Sequence, residues 1–168
     1  MSLQVFEAAK YMIENSLTSG KIATVEEIEE LQSKLMNLLP EWLTDLMRTT
    51  PLCASKIIWQ EFLPSEDDDG MSLMLLLDKD EMIIETIEAV PGYAVFEKGY
   101  IPIGHCLMKT GNPYFICIHE GEDPPVYRLV HDYGEETDEI IENRELVADK
   151  FSNLLLASKV VEKDPYED

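Results

Sequence analysis

Two strand-forming runs between residues 111 and 132, each set off by residues that favour turns, place the strongest constraint on the fold. YFICIH (114–119) and VYRLVHD (126–132) are rich in β-branched and aromatic side chains. Pro113 pushes Asn112 towards an extended backbone and so launches the first run. Gly104 and Gly111 can supply the positive φ that turns around this run need. The loop EGEDPP (120–125) joins the runs, and the pattern predicts an antiparallel hairpin. Strand alternation then puts Phe115, Cys117 and His119 on one face and Tyr114, Ile116 and Ile118 on the other. Upstream, YAVFE (93–97) and YIPI (100–103) predict a second strand pair across Lys98-Gly99. Pro102 lacks an N–H, which favours an edge or a strand end. IIWQEFL (57–63) predicts a further strand.

On either side of this β-rich middle the hydrophobic period lengthens to that of a helix. Leu3, Phe6, Ile13 and Leu17 form a first stripe, with Lys10 and Glu14 towards water and a stop at Thr18-Ser19-Gly20. Thr24 and Glu27 make a capping box ahead of the stripe Ile28, Leu31, Leu35 and Leu38. Pro40 opens a short third helix that carries Trp42, Leu43, Leu46 and Met47. Asp78 begins another, with Met82, Ile83, Thr86, Ile87 and Val90 inward and Pro91-Gly92 as its end. A final helix over 144–159 puts Val147, Phe151, Leu154, Leu155 and Ser158 on one side. No internal repeat or low-complexity linker interrupts the chain. The order predicts an α+β fold with a mainly antiparallel central sheet flanked by helices. Its expected organisation is an N-terminal helical extension (1–20), a single domain (21–160) and an acidic flexible tail (161–168).

The 168-residue chain is 45% hydrophobic, enough to bury a substantial core. Its 34 acidic and 13 basic residues give a formal charge of −21. That field repels phosphate backbones and anionic lipid, which argues against direct nucleic-acid or membrane binding. It attracts a basic protein and makes the encounter depend on salt. Three irregularly spaced cysteines do not make a disulfide framework and suit a reducing compartment. Glu7, Lys10 and Glu14 interrupt the apolar run a signal peptide would need. MSLMLLL (71–77) is far shorter than the ~20 residues that cross a bilayer. A cytoplasmic protein is expected.

Chemical readings of the same residues are weaker. His105, Cys106, Cys117 and His119 are zinc-ligand types but lack the paired spacing of zinc sites. A catalytic cysteine needs a thiolate, and acidic surroundings raise a thiol pKa. His131 and Asp132 are neighbours on a strand and so face opposite ways. Neither a nucleophile elbow nor a phosphate loop is present. If Gly70 were the turn glycine of a calcium loop in SEDDDG (65–70), the closing ligand would fall on Leu76, which cannot bind calcium. The segment reads as a solvated acidic loop, and no catalytic residue, metal or cofactor is expected.

TVEEIEELQSKL leading into LPEWLTDLM, then YIPIGHCLMKTGNPYFICI, PPVYRLVHD and a closing ELVADKFSNLLLAS, together resemble the SUKH superfamily over about residues 24–158. That group includes bacterial immunity proteins and fungal cell-wall-synthesis regulators. The resemblance implies a SUKH-like fold and a role in binding rather than catalysis. In bacterial members that role is neutralisation of a cognate toxin, often a nuclease, by direct contact. With the net charge, it points to a basic toxin domain as partner. The residues expected to meet it are Glu66, Asp67, Asp68 and Asp69 in one loop, and Glu120, Glu122 and Asp123 in the hairpin loop. Tyr127 and Tyr133 are the candidate aromatic anchors. Two other readings stay open: a regulatory scaffold with a non-toxin partner, and an enzyme using Cys106, Cys117, His119 or His131.

Overall fold

The computed structural model describes residues 3–108 and 110–167; the side chain of Leu3 lies outside the described part. In chain order the elements are α1 (Leu3–Glu14), α2 (Val25–Lys34), α3 (Glu41–Thr49), β1 (Lys56–Gln60), β2 (Met71–Leu76) and α4 (Lys79–Ile83). A π-helical turn (Ile84–Glu88) continues α4, and α5 (Gly92–Val95) follows. Then come β3 (Tyr100–Cys106), β4 (Pro113–Cys117), β5 (Val126–Arg128), α6 (Thr137–Glu142), β6 (Glu145–Ala148), α7 (Phe151–Ala157) and β7 (Lys159–Val161).

The seven strands form one antiparallel sheet in the order β6-β5-β4-β3-β2-β1-β7. Strands β1 to β6 are therefore a simple meander, and β7 returns to the far edge beside β1. That return forces curvature. Six strand spacings in a flat sheet span ~29 Å. The seven residues of α7 and their short flanks reach at most ~26 Å when the flanks are fully extended. The sheet curls until α7 can bridge its two edges. One face carries Ile57, Trp59, Met74, Cys106, Tyr114 and Ile116 into the main core with α1, α2, α3 and α7. The other face packs Phe115, Cys117, Tyr127 and Leu129 against Val95 and Ile140. The facing expected for the 114–119 run is therefore observed over 114–117, where β4 ends, and the fold is α+β as its pattern implied; of the two expected turn glycines, Gly111 takes positive φ and Gly104 lies inside β3.

The capping box at Thr24 forms in full, with reciprocal 3.1 Å bonds to Glu27. Other local expectations change. The buried stripe of α1 is Val5, Ala8, Ala9 and Met12, while Phe6 and Ile13 are half-buried and Leu17 is fully exposed. Small alanines let α1 lie close on α7. The helix ends at Glu14 without help from Gly20, which lies so close to the Cys53 carbonyl that a Cβ would collide with it. Leu38 is exposed and Leu39 takes its place in the core, because Met36 and Asn37 break α2 with φ of 54° and 58°.

The expected strand over 93–97 is instead helical. Both sides of β3 are already occupied, by β2 and β4, so the sheet has no edge there for it. The apolar run 71–77, read only as too short for a membrane, supplies the inner strand β2. Pro102 lies in the inner strand β3, not at an edge. Ile118 N donates to Gly99 O, so alternation makes Ile101↔Ile116 a bonded pair and turns the Pro102 nitrogen towards β2. The β2 ladder has already ended at Gly104, and no bond is lost. The final helix is also shorter than expected: residues 145–148 form edge strand β6, and α7 begins only at Phe151. The chain end likewise enters the sheet as β7. Beyond it, the Tyr166 hydroxyl donates to Asp69 Oδ2 at 2.6 Å.

Candidate protein-binding cleft

In an antiparallel meander successive connections alternate between the two ends of the sheet. The β1–β2 loop, the β3–β4 loop and the β5–β6 connection thus gather at one end. There they enclose a cleft of about 370 Å³ whose lining includes Phe62, Asp68, Met71, Met108, Asn112 and Arg128.

Arg128 organises the cleft wall. Register places it opposite Tyr114 on β4 and Glu145 on β6. Its Nη2 donates to Glu61 Oε1 at 2.6 Å and to the Tyr114 hydroxyl at 3.1 Å, and its Nη1 donates to Glu145 Oε2 at 3.1 Å. The guanidinium also lies 5.1 Å from the Tyr114 ring centroid. Ser72 Oγ gives Glu61 Oε1 a second bond at 2.8 Å. Burial opposes the Arg128 charge, but the bonds to Glu61 and Tyr114 outweigh it and hold the pKa above the ordinary value. Burial likewise pushes the Tyr114 phenol up. One guanidinium against two carboxylates leaves this wall net negative.

The β1–β2 loop is fixed at its root and open at its tip. Gln60 Nε2 donates to the carbonyls of Phe62 and Asp69 at 2.6 and 2.7 Å. Asp68 accepts from Gly70 N at 2.8 Å, and Asp69 accepts from Met71 N at 3.0 Å. The Tyr166 and Met71 bonds hold the Asp69 carboxyl below the usual range. Glu66 and Asp67 are exposed, and no basic side chain among the described residues pairs with them. Phe62 and Leu63 on the same loop are 59% and 92% exposed.

Of the other expected contact residues, Glu120, Glu122 and Asp123 lie at the opposite end of the sheet, on the β4–β5 loop, whereas Tyr127 lies in β5 and Tyr133 in the β5–β6 connection. Glu120 accepts from the Tyr127 hydroxyl at 2.9 Å, and Arg144 sits 5.0 Å over the Tyr127 ring. Burial, then the Glu120 bond, raises the Tyr127 phenol. Asp123 receives Ser152 N at 2.8 Å and Ser152 Oγ at 2.6 Å, which caps α7. Glu122 is exposed, Tyr127 is buried, and Tyr133 packs half-buried against the second core cluster. The three acids of the β4–β5 loop therefore do not share a footprint with Glu66 and Asp67.

The cysteines and histidines are dispersed. His105 Nε2 and Nδ1 face Glu81 at 3.2 Å and Glu85 at 3.5 Å. Cys106 Sγ accepts from Met108 N and Thr110 Oγ1 at 3.4 and 3.5 Å, while Cys117 Sγ donates to Lys98 O at 3.7 Å. Burial raises the Cys117 thiol and pushes Cys53 up to about 11. Among the described residues, no group of three or more His, Cys, Asp or Glu side chains is arranged to hold a metal ion. Nor is a helix there long and apolar enough to cross a membrane.

Sequence reading missed Arg128 and Glu61, although a signal was present. Glu61 follows Ile57 and Trp59 at period two, and Arg128 interrupts an apolar strand. Charges at inward positions require partners, and these two are partners of each other.

Comparison with protein families matches residues 22–157, most of the chain, to the SMI1/KNR4 family (SUKH-1). The chain belongs to that family. SUKH members in general are non-enzymatic immunity or regulatory proteins that act by binding other proteins. The SUKH-1 match takes in every strand from β1 to β6, and thus the whole frame of the cleft; α1 and β7 lie outside it. No curated protein and no solved structure matches the chain.

Proposed function

We propose that the chain is an immunity-type binding module that neutralises a basic toxin domain by seating a segment of it in the Arg128 cleft. The observation that carries this reading is the β1–β2 loop, where the carboxylates of Glu66 and Asp67, unpaired among the described residues, share one exposed segment with Phe62 and Leu63. Carboxylates at a rim steer a cationic partner and set register, while apolar side chains at the mouth supply contact energy. Met71 and Met108 give the lining an adaptable surface. A cytoplasmic setting belongs to the proposal, because all three cysteines are unpaired thiols.

Affinity capture from the native cell at low salt tests the partner class. A basic toxin domain supports the reading; a housekeeping regulatory protein replaces it with a scaffold role. With the captured partner, Glu66→Gln with Asp67→Asn should slow association several-fold at low salt, and Phe62→Ser should speed dissociation. Unchanged rates for both variants would remove the cleft from the interface.

A further inference from the structure

We infer a second docking face, at the opposite end of the sheet from the cleft, that takes a basic amphipathic helix of another protein. It is formed by the β2–β3 connection, residues 77–99, which by the alternation of the meander cannot lie at the cleft end. Asp78 caps α4 through a 3.0 Å bond from Glu81 N, and Met82 and Thr86 enter the interior. Thr86 Oγ1 donates to Met82 O at 2.6 Å. After Ile83 the backbone widens into the π-helical turn. An α-helical continuation keeps Ile87 and Val90 inward with Met82, as the sequence period predicts. The wider turn shifts that phase, and π turns are common where a surface has a function. Ile84 and Ile87 are 42% exposed, Val90 37% and Tyr93 40%. Four large apolar side chains within ten residues of sequence are thus half out of the interior.

Their flank is predominantly acidic. From residue 80 through 97 the chain carries Asp80, Glu81, Glu85, Glu88 and Glu97 and no Lys or Arg. Two lysines bracket this stretch: Lys79 is already held at 2.7 Å by both Glu30 and Asp80, and Lys98 is exposed at its far end. Helix α2 lies alongside α4 and brings Glu30 to its first turn through Lys79. From the sheet side His105 touches both Glu81 and Glu85, so the turn is positioned before any partner arrives.

Charge selects the occupant. A second copy would bring one −21 molecule against another, and an anionic membrane would be repelled in the same way. A helix with an apolar stripe and flanking Lys or Arg matches both features, and helix recognition of this kind uses anchors at helical spacing. This face is independent of the cleft reading, and the two can be occupied together.

The probe is a synthetic Leu/Lys peptide of about 18 residues, roughly five helical turns, patterned to be amphipathic. The control has the same lysines with every Leu replaced by Ser. NMR titration of the full chain at physiological salt should show saturable shifts of the Ile84 and Ile87 methyl signals with the first peptide and none with the second. Ile84→Asp with Ile87→Asp should weaken binding by about tenfold or more. A melting temperature close to that of the parent would show that this variant still folds. Glu66→Gln with Asp67→Asn should leave the titration unchanged. Equal response to both peptides, shifts centred on Phe62 and Met108, or loss of the shifts to self-association in sedimentation would each overturn the assignment.

Discussion

The two acidic loops, 61–70 and 118–125, look alike in composition and are bonded in opposite ways. The first is tied down at its root, where Glu61 meets Arg128 and Gln60 spans the neck, and its tip residues Glu66 and Asp67 are left to solvent. The second is tied down along its length: Glu120 holds Tyr127, and Asp123 holds the first turn of α7. A carboxylate held by internal bonds is fixed in place with part of its acceptor capacity used, whereas an unbonded one can turn wholly to a partner. The number of acidic residues in a loop therefore says less about binding than where its internal bonds fall.

The largest test is of the root. Arg128→Met strands Glu61, whose side chain is only 7% exposed, and should cost about 3–5 kcal/mol in denaturant unfolding. Adding Glu61→Leu should restore most of that loss, since an apolar pair does not need the salt bridge. A small effect of the single variant would mean that the cleft loop is not rooted at Arg128. Next comes the second loop. Asp123→Ala removes both bonds to Ser152, and the N-cap residue Lys150 offers no side-chain replacement. The expected loss is about 1–2 kcal/mol, read by thermal unfolding. Unchanged stability would return Asp123 to the pool of free surface acids.

The sequence predicts the α+β class, the hairpin of β4 and β5 (though its strands stop at Cys117 and Arg128, short of the expected 119 and 132), the two faces of 114–117 and the Thr24 capping box. Each is set by local signals: alternation, a turn glycine, a cap hydroxyl three residues from a glutamate. What it misses depends on distant partners. The segment 93–97 has strand propensity, yet β2 and β4 already flank β3, so it stays helical. The stripe 144–159 has a helical period in its second half only, and β5 recruits its first residues as an edge strand. Loop acidity was legible, but the cleft was not. Its wall joins Glu61, Arg128 and Glu145 across three strands, and no spacing within one segment encodes that. Nor does composition distinguish Asp67, which has no partner among the described residues, from Asp123, which is a cap.

Glu85 falls between the two kinds of acid. Its side chain is 15% exposed and lies 3.5 Å from His105 Nδ1. Burial raises its pKa, the Glu81 carboxylate adds to the rise, and His105 offsets part of it. A carboxyl with a raised folded pKa contributes stability below its unfolded pKa and loses it as pH rises through the folded value. Glu85→Gln should therefore stabilise the protein near neutral pH, by less than Asp123→Ala destabilises it. The gain should fade as the pH drops into the ordinary carboxylate range. Urea titrations at the two pH values check this, and a loss of stability at neutral pH would show that the ionised form is the favoured one.

The smallest effect on folding is expected where the largest effect on association lies. Glu66→Gln with Asp67→Asn touches no bond among the described residues, so stability should move by at most about 0.5 kcal/mol. Two fewer negative charges at the rim should still lower the on-rate for a basic partner and flatten its dependence on salt. Neutralising Asp68 or Asp69 is a different experiment, because each accepts a backbone N–H that shapes the loop. A slower association there would mix lost charge with lost geometry. The matched comparison is with Glu120→Gln at the far end of the sheet, which also removes a charge. If that variant slows association as much as the rim pair does, long-range net charge and not the loop tip steers the partner, and the division between the two loops fails.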